Sequence, residues 1–447
     1  GLRTLTIVER AVELIQHTPG RTIDVRDLPL DAPPTYDLLT RGDTVAVFQL
    51  ESAGMRDLLR RLKPDRFDDI IAVLALYRPG PLGSGMVETY IQCKHGLEAI
   101  SYEHPSLEPI LKESNGVILY QEQVMRIANI MCGFSLNEAD SLRKAMGKKK
   151  PELMAKYQEQ FVEGAAKNGI EKKVATRVWE LIVYFAGYGF NKSHSTAYAY
   201  VTYETAYLKA NYPTEFMAGV LTCEMSHVDK VVENIEECRR NEIEVLAPNV
   251  NRSHRGFWVS DGKIWYGLEA LKGLGGKVVE AIVEEREKNG EFRSIFEFCE
   301  RVNSSTLNKS ALECLINSGA FDTFEVPRSQ LLAVIESALA RGQSVQKDRQ
   351  AGQTTLFDLL GDPAGGNSSQ DPSTDEQYPD LPEWPDFERL SREKQTLGFY
   401  LSGHPLGAHD TLIQHYATHT VRQAETANDN QKIVLAAQIS KITKKVS

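Results

Sequence analysis

The feature that most constrains the fold is a long succession of helical patterns over residues 41–245, interrupted by glycine-rich turns. An amphipathic pattern over about residues 8–16 precedes it, and short helical patterns follow from 269 to about 342. Apolar residues at a helical period give each helix one face to bury against its neighbours. The sequence therefore predicts a mainly α fold of the α+β class.

Two regions depart from the helical pattern. The β-type runs 256–260 and 263–266 flank Asp261-Gly262, a dipeptide that favours a tight hairpin turn. Residues 432–440 form another β-type run near the end of the chain. Residues 343–385 are rich in Gln, Gly, Ser, Asp and Pro, a composition that predicts a largely disordered linker.

Composition bounds the function classes. The 447 residues suffice for two to four domains, and no run of about 18 apolar residues predicts a membrane span. Six cysteines without a Cys-x-x-Cys pair argue against a disulfide framework or zinc site and favour the reducing cytoplasm. The net charge of −10 argues weakly against nucleic acid, but residues 141–150 hold five cations and no acid.

The basic run lies at the end of a predicted helix. Ser135 and Glu138 have capping-box spacing, and Gly147 is predicted to end the helix, with Pro151 opening the next one. Arg143 and Lys144 then fall in its last turn and Lys148 in the loop beyond. One hypothesis is a phosphate site; the alternative is a solvated helix end, where each cation gains about 0.3–1 kcal/mol from the helix dipole.

Two further segments combine turn residues with cations. Residues 187–195 place Asn191, Lys192, Ser193 and His194 after two glycines and before a helix that runs to about Asn211, an arrangement that suits an anion. The alternative is a helix start capped by Ser193. Residues 76–86 place Arg78 on a turn held by two prolines, with a solvated structural arginine as the alternative. Three tyrosines share one face of the helix after Ser193, which we interpret as packing.

The order and spacing of five motifs resemble the fingers of the bacterial DNA polymerase III alpha subunits, the C-family replicative polymerases. The motifs are Phe-Gln-Leu-Glu-Ser at 48–52, Arg-Pro-Gly-Pro-Leu at 78–82, Tyr-Gln-Glu-Gln-Val-Met at 120–125, Arg-Lys-Ala-Met-Gly-Lys-Lys at 143–149 and Gly-Tyr-Gly-Phe-Asn-Lys-Ser-His-Ser at 187–195. The resemblance runs through the whole chain and is weakest between about 331 and 385.

This resemblance implies contacts with the incoming nucleotide, because fingers close over its triphosphate. It assigns dNTP binding to Arg143 and Lys144, with Lys148, Arg78 and the loop Asn191, Lys192, Ser193 and His194 as further candidates. It also divides the chain into a trailing palm segment and connector (1–40), fingers (41–245), a β-hairpin with helix-hairpin-helix DNA- and clamp-binding domain (246–342), a flexible linker (343–389), and a pre-OB segment with a truncated OB-fold β-barrel (390–447).

Residues 268–277 resemble the first of two tandem helix-hairpin-helix motifs. Gly273 and Gly275 let the turn approach a DNA phosphate closely, while Lys272 and Lys277 add sequence-independent attraction. A second, degenerate copy over 307–321 lacks the Gly-x-Gly turn and is predicted to contact DNA or only to brace the first.

A short apolar peptide interrupts the linker. Gln353, Leu356 and Phe357 resemble the Gln-x-x-Leu-Phe motif that binds the β sliding clamp; the alternative is a local anchor onto the domain itself.

No cluster of paired carboxylates accompanies these motifs. In the resembled family, palm carboxylates hold Mg²⁺, and the last of them lies just upstream of a sequence like 1–6, so we expect no metal site and no primer extension by this chain alone. The implied partners are primer-template DNA, dNTP, the β sliding clamp and other replicase subunits, without a membrane. An alternative function is a non-catalytic, clamp-tethered DNA-binding factor built from polymerase parts.

Overall fold

The computed structural model describes residues 2–148, 151–186, 189–350, 377–424 and 427–437. The chain folds into two compact units, Gly1–Cys223 and Glu224–Ser447. Helices dominate both units, as predicted, and the described β structure is limited to one small sheet. None of the described helices combines the length and apolar composition needed to cross a bilayer. The predicted five-part division of the chain stays a prediction.

The first unit is built on helices packed around two apolar cores. The helices are α1 Arg3–His17, α2 Pro33–Arg41, α3 Ala53–Leu62, α4 Phe67–Leu76, α5 Pro79–Gly83, α6 Met86–Lys94, α7 Glu108–Leu111, α8 Gln121–Cys132, α9 Leu136–Lys148, α10 Pro151–Lys167, α11 Lys172–Ala186, α12 Lys192–Asn211 and α13 Pro213–Glu224. One core collects residues of α2, α3, α4, α6 and α12, and the other those of α7 to α11. Phe185 packs against both cores and so joins them.

The long helix α12 carries the tyrosine face noted in the sequence. Tyr203 is buried, and its ring lies 5.9 Å from that of Tyr36 and 6.2 Å from that of Tyr207. Tyr200 contacts Phe67 at 4.8 Å between ring centroids. Tyr203 is thus a packing residue, whereas Tyr200 is 47% exposed and its interpretation as a packing residue stays a prediction.

The second unit combines a small sheet with helices of 4 to 16 residues. Its elements are α14 Val228–Arg240, β1 Val245–Leu246, β2 Trp258–Ser260, β3 Lys263–Trp265, α15 Gly276–Asn289, α16 Ile295–Arg301, α17 Lys309–Asn317, α18 Arg328–Ala333, α19 Ile335–Gln350, α20 Asp386–Leu397, α21 Asp410–Tyr416 and α22 Val421–Ala424.

The predicted β-hairpin is confirmed. Strands β2 and β3 pair antiparallel, with Trp258 opposite Trp265, and both Asp261 (φ 52°) and Gly262 (φ 73°) are left-handed. Two left-handed residues make the turn whose twist matches a hairpin. Strand β1 pairs parallel with β3, with Val245 opposite Ile264, and the sequence analysis missed it because two residues carry no periodicity.

Two details of the C-terminal half differ from the sequence analysis. Helix α19 continues to Gln350, inside the segment predicted as a linker, where the Gln346 amide donates to the Val302 carbonyl at 2.7 Å. The described part of the predicted final strand, 432–437, is not a strand. Val434 instead exchanges hydrogen bonds with Thr418, at 2.9 and 3.0 Å, so its backbone is satisfied without a ladder.

Candidate nucleotide-binding site and hairpin surface

Helix α9 begins as the sequence predicts and ends later. The Ser135 amide and hydroxyl donate to Glu138 at 2.8 and 2.7 Å, and the Glu138 amide donates back to the Ser135 oxygen at 3.3 Å. The hydroxyl also holds the pKa of Glu138 below its ordinary value. Gly147, however, is helical, and the described helix reaches Lys148. The predictions that Gly147 ends the helix and that Lys148 lies beyond it were therefore wrong, because no backbone reversal occurs at this glycine.

Arg143 and Lys144 share one carboxylate. The Arg143 Nε and Nη2 atoms both lie 2.9 Å from Asp140 Oδ1, and Lys144 Nζ lies 2.7 Å from Asp140 Oδ2. Bonds from Lys144, and then from Arg143, hold the pKa of Asp140 below its ordinary value. Asp140 precedes the two cations by three and four residues, the spacing at which helical side chains meet. That spacing is visible in the sequence, so the pairing of Asp140 with both cations was predictable from it.

The glycine-rich segment contributes backbone groups rather than free cations. The Gly189 amide donates to the Phe185 carbonyl at 2.9 Å, and Phe190 bridges to Tyr120 in parallel pairing. The Asn191 side chain caps α12 by accepting from the His194 amide at 2.7 Å. Ser193 is therefore not the cap, because the helix begins one residue before it. Gly187 and Tyr188 lie outside the described residues.

Lys192 and His194 are held by neighbours. Lys192 Nζ pairs with Glu113 at 2.7 Å, and the Lys192 amide donates to the Glu122 carboxylate at 2.9 Å. The His194 ring lies 4.3 Å from that of Tyr198 and 5.6 Å from that of Phe190. These contacts orient the first turn of α12, and an anion would have to draw Lys192 away from its carboxylate.

Arg78 lies beside the same loop. Its guanidinium carbon is 4.3 Å from the centre of the Phe190 ring, and its Nε donates to the Ala75 carbonyl at 2.9 Å. Burial lowers the pKa of Arg78 from its ordinary value. The predicted rigid turn is a short helix, α5, that starts at Pro79. Arg78 is thus fixed by an aromatic face and a carbonyl.

Gln121 joins these parts, a role that its position in the motif at 120–125 did not reveal. Its Nε2 donates to the Gly189 carbonyl at 3.0 Å, and its Oε1 accepts from Arg143 Nη1 at 3.3 Å. Its backbone amide donates to the Phe190 carbonyl at 2.9 Å. A cavity of about 300 Å³ lies at this junction, and its lining residues are Gln121, Val124, Arg143, Lys144, Met146, Gly147, Phe185 and Gly189.

The structure thus brings together only part of the predicted nucleotide set. Arg143 and Lys144 face the cavity with Gly189, and Arg78 joins them indirectly through Phe190. Among the residues that line this cavity in the described part of the chain, none comes from the loop 191–194. In that loop, Lys192 donates hydrogen bonds to the carboxylates of Glu113 and Glu122. The sequence could not reveal these two partners, because they lie 79 and 70 residues before Lys192.

The second unit presents the predicted Gly-x-Gly turn on its surface. Gly273 is left-handed (φ 92°), and Gly275 caps α15, which begins at Gly276. Lys272 and Lys277 are exposed. Within the described ranges, no heavy atom outside the neighbouring residues lies within 4 Å of the position that a Cβ on Gly273 or Gly275 would take. The turn is therefore uncovered at the position of both glycine Cβ atoms.

One backbone donor of this turn is already used. The Lys272 amide donates to the Thr396 carbonyl at 3.0 Å, and the Lys272 carbonyl accepts from the Cys314 thiol at 3.3 Å. Before the turn, the chain makes only a 3₁₀ turn at Leu268–Ala270 in place of a full helix. The hairpin is consequently held by α17 and α20 rather than by a long first helix.

The degenerate second copy is closed. Its turn follows α17, and Gly319 is left-handed (φ 83°), but a side chain there would overlap the Arg328 guanidinium. Arg328 is buried and bonds Asp322 at 2.8 Å from its Nε. This arrangement supports the bracing role that the sequence analysis considered, because the side chain of Arg328 occupies the space that is open in the first copy.

Comparison with known proteins bears on both regions. Residues 4–169 match the family model for the bacterial DNA polymerase III alpha subunit finger domain, and residues 242–331 match a helix-hairpin-helix model. The chain is homologous to the fingers and helix-hairpin-helix region of the DNA polymerase III alpha subunit.

Individual alpha subunits are similar over nearly the whole chain. The DNA polymerase III subunit alpha of Escherichia coli K12 is 45% identical over 98% of this chain, and that of Pseudomonas aeruginosa PAO1 is 44% identical over 97%. The Vibrio cholerae protein is 42% identical over 98%. In each case the chain spans 38% of the relative's length.

The two matched models cover different parts of the candidate sites. The finger model includes Gln121, Asp140, Arg143 and Lys144, and the helix-hairpin-helix model includes both glycine turns and Arg328. The predicted clamp-binding residues Gln353, Leu356 and Phe357 lie outside the described residues.

The described residues do not fit the metal that the alpha-subunit resemblance implies. No group of three or more His, Cys, Asp or Glu side chains that could hold a metal ion occurs in the described part of the chain. Asp140, the carboxylate nearest the cavity's cations, is occupied by Arg143 and Lys144. We therefore derive no catalytic step through Mg²⁺.

Proposed function

We propose that this chain is the fingers and DNA- and clamp-binding portion of a replicative DNA polymerase III alpha subunit, which synthesises DNA from dNTPs on a template in the bacterial cytoplasm. One observation carries the proposal. Gln121 joins Arg143 to the Gly189 carbonyl, and Arg143, Lys144 and Gly189 line one cavity of about 300 Å³.

This arrangement suits the triphosphate of a nucleotide. Phosphoryl transfer depends mainly on positioning and on neutralising phosphate charge. Arg143 offers a planar fork and Lys144 a mobile point charge, the two kinds of donor that phosphates use. Arg78, Lys148 and the loop of Asn191, Lys192, Ser193 and His194 are further dNTP candidates, with Lys192 released from Glu113 when it takes part.

Replacement of Arg143 by Ala is expected to weaken dATP binding by about tenfold or more, because charge-assisted hydrogen bonds to phosphate contribute about 1.5–3 kcal/mol. The affinity of the 447-residue chain for fluorescently labelled dATP, measured by anisotropy at low salt, checks this. Arg126→Ala is the matched control, since Arg126 is an exposed arginine on the adjacent helix α8. Equal dATP affinities of the Arg143→Ala variant and the unmodified chain would contradict the proposal.

The open glycine turn supports binding of the duplex of primer-template DNA. Exposed Lys272 and Lys277 flank a turn whose backbone a phosphate can approach. Such contacts release counterions, so binding weakens as salt rises.

Changing both Lys272 and Lys277 to Ala is expected to lower duplex affinity and to reduce the slope of log affinity against log salt by about one for each lysine. Filter binding of a duplex at several salt concentrations measures this. Lys288→Ala is the control, because Lys288 is exposed near the other end of α15 and pairs with Glu284. If the variant and the unmodified chain had equally steep salt slopes, the proposal that the hairpin contacts DNA phosphates would be contradicted.

The remaining parts of the proposal concern partners. Gln353, Leu356 and Phe357 are proposed to bind the β sliding clamp, and other replicase subunits are proposed to join the assembled enzyme. Palm carboxylates that are not among the residues of this chain are proposed to hold Mg²⁺, which supplies charge stabilisation and activates the primer hydroxyl. The isolated chain is accordingly proposed to bind its ligands without extending a primer.

A further inference from the structure

Both cations of the proposed nucleotide site are engaged with an anion of the protein itself. Each of the three guanidinium nitrogens of Arg143 makes a hydrogen bond or ion pair, two with Asp140 and one with Gln121. Lys144 Nζ lies 2.7 Å from the second oxygen of the same carboxylate. Asp140 therefore bonds the same donors that a phosphate would use.

Asp140 stands beside the cavity without lining it. Arg143, Lys144 and Gln121 line the cavity, and Asp140 is not among its lining residues in the described part of the chain. The side chains of Arg143 and Asp140 are 32% and 34% exposed, and that of Lys144 is 62% exposed. Neither cation is buried, and both already line the cavity, so a change of rotamer is enough to move them from the carboxylate toward it.

We infer that Asp140 is an internal competitor for phosphate, which holds Arg143 and Lys144 when no anion is bound and lowers the affinity of the site for every phosphate-bearing ligand. Binding exchanges carboxylate contacts for phosphate contacts, and release restores them. With Asp140 included, the three side chains carry a net charge of +1, whereas Arg143 and Lys144 alone carry +2. This inference rests on the proposed nucleotide site and assigns to it a residue that regulates its affinity.

The competition has a consequence for ligand exchange. A phosphate that contacts only these two cations loses part of its binding free energy, because the cations must first separate from Asp140. A nucleotide that also makes contacts elsewhere retains the rest of its affinity. Asp140 thus favours release of simple phosphate anions from the site. It is a regulating residue and not a catalytic one, since it touches the cations and not the reacting atoms.

The test uses the 447-residue chain and inorganic tripolyphosphate, titrated calorimetrically at low salt without metal. Asp140→Asn is expected to bind tripolyphosphate about three- to tenfold more tightly, the range set by loss of two partly exposed ion pairs. Asp140→Glu keeps the charge and is expected to stay within about twofold of the unmodified chain. Circular dichroism checks that each variant is folded.

Glu138→Gln is the matched control for charge. It removes one negative charge from the same helix but retains the capping box with Ser135, because Gln serves at that position as Glu does. A gain of the same size in Glu138→Gln would assign the effect to overall charge and overturn the inference. The gain in Asp140→Asn must also disappear when Arg143 is changed to Ala in the same chain.

The outcomes separate this inference from the proposed function. If Arg143→Ala weakens dATP binding but Asp140→Asn leaves tripolyphosphate affinity unchanged or lower, the nucleotide site stands and the inference fails. If Arg143→Ala has no effect on dATP, the proposed site fails, while the tripolyphosphate titration still decides the role of Asp140. Absence of tripolyphosphate binding in Asp140→Asn overturns the inference, because two released cations must attract a highly charged anion.

Discussion

Replacement of Glu393 by Ala is expected to lower the free energy of unfolding of the second unit by about 3–5 kcal/mol, the usual cost of removing one partner from a buried ionic network. Glu393 is 1% exposed. Its Oε1 accepts from the Leu401 and Ser402 amides, both at 2.7 Å, and its Oε2 accepts from the Ser402 hydroxyl at 2.6 Å. Removal takes the acceptor from the Leu401 and Ser402 donors and leaves the buried Arg328 guanidinium without a nearby carboxylate.

The same change disturbs the closed glycine turn. Arg328 Nη1 lies 3.8 Å from Glu393 Oε2, and Arg328 fills the space beside Gly319. Denaturant unfolding followed by circular dichroism measures the loss. Glu388→Ala on the same helix is the control, because the Glu388–Arg392 pair is partly exposed and contributes about 1 kcal/mol or less. Similar losses in the two variants would show that the Glu393 network is not a major source of stability.

Replacement of Gly164 by Ala is expected to destabilise the first unit by about 1–3 kcal/mol through overpacking. A Cβ on Gly164 would overlap the Cys132 carbonyl oxygen and lie 3.0 Å from its carbon. Those atoms are backbone atoms of Cys132, the last residue of α8, and they cannot move away without shifting the helix. Since α8 begins at Gln121, a shift of this helix also reaches the residue that joins Arg143 to Gly189.

Gly147→Ala provides a matched control with the opposite sign. Gly147 is also helical, and no heavy atom of the residues that the structure describes lies within 4 Å of an added Cβ there. Alanine is the better helix former, so this variant is expected to be stabilised by about 0.5–1 kcal/mol. The two unfolding midpoints, compared in urea, test the pair. Destabilisation of Gly147→Ala as large as that of Gly164→Ala would show that close helix packing is not the cause.

Local features of the fold were predictable from the sequence. The capping box of Ser135 and Glu138, the left-handed turn at Asp261-Gly262 and the start of α10 at Pro151 all appear as predicted. Each depends on groups within a few residues of one another. Backbone preference and short hydrogen bonds decide such features before any tertiary contact forms.

The predicted helix ends were wrong where two local sequence signals favoured different boundaries. Asn191 and Ser193 are both good cap residues, and the contacts of the following turn selected Asn191. Gly147 is compatible with a helix end, yet α9 continues through it to Lys148. The residues 343–350 have a polar composition, but Gln346 bonds the end of α16 and its following loop and keeps α19 helical.

The sequence by itself determined that the chain is mainly helical, that Arg143 and Lys144 lie on α9, and that Gly273 and Gly275 form an exposed turn. Only the tertiary structure decided which groups those residues meet. Gln121 lies 22 residues from Arg143 and 68 from Gly189, and Arg328 reaches Gly319 from the next helix. Hydrogen bonds between residues so far apart in sequence leave no periodic signal, because packing of the helices alone brings their partners together.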